Sequence, residues 1–148
     1  MEVKRFKGEE KILLEDAYKV RYAVFVEEQN VPVEHERDDF DEKSYHVVIY
    51  ENNLPVATGR VVNLSGRYKI GRVCVLKEYR RCGYGEKVIE ELIHILREIN
   101  IGEVLLHAQI KSISFYERLG FKAYGNLFEE EGIEHIAMSL ILKGTGRF

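Results

Sequence analysis

The sequence predicts an α/β fold, in which one mixed, mostly antiparallel sheet with a central parallel pair carries helices on both faces. Residues 46–51, 55–64 and 68–75 are three strand-like runs in succession. Asn52-Asn53 joins the first two and Ser65-Gly66 separates the last two, the pattern of an antiparallel meander. Residues 85–99 then place Val88, Ile89, Leu92, Ile93, Leu96 and Ile99 at helical spacing between a glycine turn and a further strand. That is a βαβ crossover, which puts a parallel pair near the middle of the sheet. The 148 residues are 45% hydrophobic and include only two prolines, Pro32 and Pro55, with no linker, repeat or low-complexity tract, so residues 1–148 are expected to form a single domain.

Taken in order, residues 3–6 form a short strand and residues 13–26 one helix, with Leu14, Ala17, Tyr18, Arg21 and Phe25 along one side until Asn30-Val31-Pro32 stops it. The next segment, 34–43, carries Glu34, Glu36, Asp38, Asp39, Asp41 and Glu42, a run that suits a solvated loop or short helix. After the meander and the helix over 85–99, which Asn100 and Gly102 close, come a strand at 103–109 and a short helix at 112–119 ended by Gly120. Strands at 121–124 and 134–142 finish the chain. The last of these is expected to leave an edge on which a second subunit can pair, a route to a homodimer.

A formal charge of -3 argues against general nucleic-acid binding, and no apolar run approaches the length needed to cross a membrane. Residues 1–7 are charged and unlike a signal peptide, so a cytoplasmic location is expected. Cys74 and Cys82 lack the spacing and partners of a metal site or a disulfide framework and are read as free thiols.

The run Arg80-Arg81-Cys82-Gly83-Tyr84-Gly85 lies between a strand and the start of the periodic helix. Its glycines allow a tight turn and close approach of a ligand, and the helix N-terminus presents unpaired amides and a positive dipole end. Two guanidinium groups add charge, a combination that suits a pyrophosphate.

From Val73 to Gly85 the sequence resembles the central motif of the GNAT superfamily of acyl-CoA-dependent N-acetyltransferases, and Phe115-Tyr116-Glu117-Arg118-Leu119-Gly120-Phe121 is similar to the second helix and turn of that family. Arg21 to Gln29, with the acidic segment after it, resembles the ElaA-like branch. Lys77, Gln109 and Ser112 stand where the family often has Pro, Asn and Ala, departures that remove no backbone donor.

The resemblance implies transfer of an acetyl group from acetyl-CoA to a primary amine of a small metabolite by direct attack in a ternary complex. It implies a pantetheine arm paired along Val73, Cys74 and Val75, a pyrophosphate on the amides of Arg81, Cys82, Gly83, Tyr84 and Gly85 with Arg80 in support, and a contact from position Gln109. Tyr116 matches the acid that protonates the leaving thiolate. No residue is marked as the base. His107, on the same strand face as Leu105 and Gln109, is the first candidate, with Glu27, Glu28, Glu130 and His135 as alternatives. The acidic run, with Glu27 and Glu129-Glu130-Glu131, is a candidate landing surface for a cationic acceptor, whereas Arg72 is placed to meet a carboxylate. Two other readings stay open: a CoA or acyl-CoA sensor without turnover, and an acyl-homoserine-lactone-synthase-like acyltransferase, which the Arg21 to Phe25 pattern also resembles.

Overall fold

The structure is a computed structural model and describes residues 1–142. Seven strands form one sheet in the order β1-β2-β3-β4-β5-β7-β6. The strands are β1 (Glu2–Lys7), β2 (Tyr45–Glu51), β3 (Leu54–Leu64), β4 (Arg67–Val75), β5 (Glu103–Gln109), β6 (Lys122–Glu130) and β7 (Ile133–Ile141). Every neighbouring pair is antiparallel except β4 and β5, the parallel pair that the crossover helix requires. Asn52 and Asn53 take φ of 50° and 65°, the left-handed pair that a tight hairpin needs between β2 and β3.

Helix α1 (Lys11–Arg21) and helix α3 (Tyr84–Glu98) cover opposite faces. Val88, Ile89, Leu92 and Leu96 of α3 are fully buried against Val47, Ile49, Ala57, Ile70 and Leu106. On the other face Leu14 and Ala17 of α1 pack on Phe6, Val48 and Tyr50. Successive residues of β2 therefore point alternately into two apolar layers, which is why its interior is apolar without a break. The short helix α4 (Ile113–Arg118) follows β5 through a 3-10 turn at Ile110–Ser112.

Four expectations need correction. The helix expected over 13–26 is α helix only to Arg21 and continues as a π-helix, Tyr22–Glu28, with Gln29 N bonded to Val24 O and Val31 N to Phe25 O. The wider turn is invisible to a 3.6-residue pattern. The last strand is not an edge: the turn at Glu131 and Gly132, with φ of 52° and 74°, folds β7 back between β6 and β5, so the outer strand on that side is β6. β6 itself begins at Lys122 but runs on to Glu130, well past the expected end at residue 124.

The acidic segment is the fourth. It holds α2 (Val33–Glu36) and a 3-10 turn at Asp41–Lys43, and two of its carboxylates are buried rather than solvated. Arg21, only 1% exposed, bonds Glu36 through Nε at 2.5 Å and Asp41 through Nη1 at 2.7 Å. Arg60 bonds Asp38 and Asp41, each at 2.7 Å, and Arg72 donates to the Glu36 carbonyl at 3.1 Å and to Asp38 at 3.2 Å. Burial would raise the Asp41 carboxyl, but the charge and hydrogen bonds of Arg21 and Arg60 outweigh it and hold that group well below the usual carboxylate range. Glu36 and Asp41 are therefore internal counter-ions, and they offer no landing surface for a cation.

Candidate active site

The site begins where β4 leaves β5. Their pairing stops at Ile70 and Leu106. Just beyond, the register on β3 jumps from Arg60↔Gly71 to Thr58↔Cys74, a bulge in which Arg72 adopts φ of 54°. The bulge bends β4 where its second partner ends. Leu76 N donates to Val56 O at 2.9 Å, towards β3, so by strand alternation the peptide groups of Val73 and Val75 face the opposite, unpaired side. Cys74 turns its side chain onto Val20 and Val24, and burial pushes its thiol far up, which leaves it inert as a nucleophile.

This open edge leads through Arg80 and Arg81 to α3. Gly83 stands at the helix start with φ of 88°, no side chain caps the amides, and a Cβ at Gly83 would meet open space. The first-turn amides of α3, Tyr84, Gly85 and Glu86 among them, therefore have no partner within the helix and face a site that glycine keeps clear. A Cβ at Gly85 would lie 3.5 Å from the Phe115 ring, the wall opposite. These features fit a bound pyrophosphate and an arm paired along β4.

Arg80 is not a free charge. Its Nη atoms grip Glu28 at 2.6 and 2.7 Å and its Nε donates to Val75 O at 2.9 Å, so it ties the π-helix to the turn and to β4. Arg81, exposed and without an ion pair among the described residues, carries an uncompensated charge beside the turn. The Tyr84 hydroxyl donates to Glu51, which leaves its amide rather than its side chain for an anion. Exposed Cys82 turns its sulfur to the Arg80 carbonyl at 3.5 Å and does not line the cavity.

All the other anticipated residues, Val73, Cys74, Val75, Arg80, Arg81, Gly83, Tyr84, Gly85, Gln109, His107 and Tyr116, border one cavity of about 840 Å³. Tyr116 sits on α4 between Phe115 and Phe121, and its phenol is raised well above the ordinary range by burial and by Cys74, so it holds its proton at neutral pH. His107 Nδ1 lies 2.7 Å from Glu130 Oε2. A carboxylate only accepts, so Nδ1 is the donor, and in the neutral ring Nε2 carries the lone pair. The His107 ring packs edge-on against Phe128, which stacks on His135. Gln109 donates to Gln29 at 3.1 Å across the cleft.

The acetyltransferase (GNAT) domain family matches residues 6–142. The chain belongs to that family. An acetyltransferase-named protein of Bacillus subtilis is 37% identical over 142 residues, covering 94% of this chain and 95% of its own. Among solved structures, Escherichia coli ElaA superposes with a TM-score of 0.86 at 28% identity over 95% of this chain and 99% of ElaA. An acyl-CoA N-acyltransferase from Pseudomonas aeruginosa does so with a TM-score of 0.85 at 26% identity, over 95% and 99% of the two chains.

Membership in GNAT makes the chain an N-acetyltransferase, and the glycine turn and α4 are where its two family motifs come together in space. Lys69, which no motif marks, also lines the cavity, as do Gln29 and Phe115, read from the sequence as motif members but not as site residues. Gln29 meets Gln109 from 80 positions away, and no local pattern signals such a contact. Of the alternative bases, Glu28 is engaged by Arg80 and exposed Glu27 lies outside the main cavity, whereas Glu130 and His135 join His107. Among the described residues no group of His, Cys, Asp or Glu is placed to hold a metal ion, and no helix is long and apolar enough to cross a membrane.

Proposed function

We propose that residues 1–148 act as one N-acetyltransferase domain that moves an acetyl group from acetyl-CoA to the primary amine of a small metabolite by direct attack in a ternary complex. One observation carries this reading: the edge of β4 that no strand pairs and the uncapped N-terminus of α3 border one cavity, which also holds Tyr116 and the His107–Glu130 pair. The amides of residues 81–85 would bind the pyrophosphate, and Val73 and Val75 would align the pantetheine arm. Alignment of two reactants in this way supplies as much as roughly 7–11 kcal/mol of the barrier.

The amine nitrogen attacks the thioester carbon, whose oxygen is polarised by the Val75 amide. His107 Nε2 takes a proton from the nitrogen, with Glu130 fixing the tautomer. As the C–S bond breaks, Tyr116 gives its proton to the sulfur, and the products are the N-acetylated amine and free CoA. The free thiols Cys74 and Cys82 suit a cytoplasmic setting.

Calorimetry with CoA and thiol release against an amine panel test this. Saturable binding with turnover of at least one amine is expected. Binding without turnover of any amine would make the protein a sensor, and absence of binding would overturn the reading altogether.

A further inference from the structure

The acceptor half of the cavity carries charges of both signs on one face of the sheet. Register and alternation put Lys69 of β4 beside Leu105, with His107 two residues further along β5. His135 of β7 stands opposite Gln109, and Glu130 of β6 closes the row. Helix α1 packs mainly on β2 and β3, and Lys69, His107 and Glu130 all border the cavity. Glu130 is committed to His107 and lies 3.8 Å from His135 Nε2.

Lys69 is the odd member. It is half-buried and lines the cavity, yet among the described residues its ammonium makes no hydrogen bond and no ion pair within 4.0 Å, although fifteen of the eighteen ion pairs engage Lys, Arg or the N-terminus. Burial pulls its ammonium below the ordinary lysine range, Glu130 opposes this, and Arg60 and Arg72 add to it. Arg72 borders the same space and is held in place by the carbonyls of Glu36 and His35 and by Asp38. A half-buried ammonium beside two guanidinium groups is incompletely compensated, and an arriving anion relieves that cost.

We infer that the acceptor is a zwitterion, an amino acid or a small metabolite that ends in one, whose carboxylate is held by Lys69 with Arg72 while its amino group lies at Glu130 and His107. This rests on the N-acetyltransferase reading above. Lys69 and His107 stand on adjacent strands with Cα positions separated by about 7 Å along the strand, a span that one small molecule bridges. A lone ammonium with partial help from Arg72 matches one negative charge. Glu130 accepts from the acceptor's ammonium group before the proton passes to His107, so each end of the zwitterion meets its complement.

The test compares matched acceptors under saturating acetyl-CoA: each amino acid against its decarboxylated amine and its amide, with aminoethylphosphonate against β-alanine. The inference requires kcat/KM for at least one amino acid to exceed that for both of its uncharged-end counterparts by tenfold or more. Lys69→Met should cut that ratio at least tenfold by raising KM, and Lys69→Arg should restore most of it, with CoA Kd showing that each variant is folded. Equal use of amines and amino acids, a ratio unmoved by Lys69→Met, or preference for the phosphonate would overturn it. Turnover of amines alone would sink the zwitterion and leave the N-acetyltransferase reading standing, whereas failure to bind CoA would remove both.

Discussion

Replacing Arg21 by Met tests the buried charge network that holds the acceptor side in place. The wild-type guanidinium bonds Glu36 at 2.5 Å and Asp41 at 2.7 and 3.1 Å, and it also donates to the Glu36 carbonyl at 2.8 Å. The variant leaves Glu36, 4% exposed, with Arg72 at 3.3 Å, while Asp41 keeps Arg60 at 2.7 Å. Removing one partner of a buried pair costs about 3–5 kcal/mol, and retention of the two other arginines puts the expected loss near the lower limit, about 3 kcal/mol. For a chain of this size that is a fall in Tm of roughly 6–12 °C.

The pH dependence has a definite sign. The folded Asp41 carboxyl is depressed, so its contribution to stability is complete above the unfolded value of about 4 and is lost as pH falls towards the folded value. Wild-type stability should therefore drop steeply below about pH 4, and the Arg21→Met slope should be shallower. Urea melts across pH 3–7 measure both, and adding Glu36→Gln should recover part of the loss by neutralising the orphaned carboxylate. A Tm within 2 °C of wild type at pH 7, or an unchanged acid slope, would refute the account of this network.

Further outcomes concern the site. Tyr116→Phe should lower kcat about 100-fold with little change in the Kd for CoA, since the ring remains and only the proton is lost, and stopped assays at several pH values would show it. Glu28→Gln should weaken CoA binding severalfold in calorimetry, because Arg80 loses the carboxylate that aims it at Val75 O, without touching a ligand directly. Gly59→Ala places a Cβ 2.6 Å from Val88 and 3.2 Å from Leu92 and Val73, so thermal melts should record a loss of about 1–3 kcal/mol, and an unaltered Tm would show that α3 has room to move.

The parts of the fold that were legible are those whose signal is local. The apolar stripe of α3, the Asn52-Asn53 turn and the glycine run between β4 and α3 each sit within a few residues of one another, and the structure keeps them close to the predicted bounds. What could not be read depends on distant partners. Glu36 and Asp41 look solvated because the arginines that neutralise them are 15 to 20 positions away. The π-helix escaped because Val24 and Phe25 remain apolar under either helical period. The place of β7 follows from its pairing with β5, and a strand's own sequence does not say which neighbour it will join. At the site, the backbone-dependent part was visible through glycine, whereas Lys69 and Gln29 acquire meaning only when the sheet sets them beside the family motifs.

A crystal structure of the protein with CoA addresses the central claim most directly. The diphosphate is expected within hydrogen-bond distance of the amides between Arg81 and Glu86, the pantetheine amides against Val73 and Val75, and the sulfur beside the Tyr116 hydroxyl. Density for CoA elsewhere on the sheet, or an arm that leaves the β4 edge bare, would contradict it.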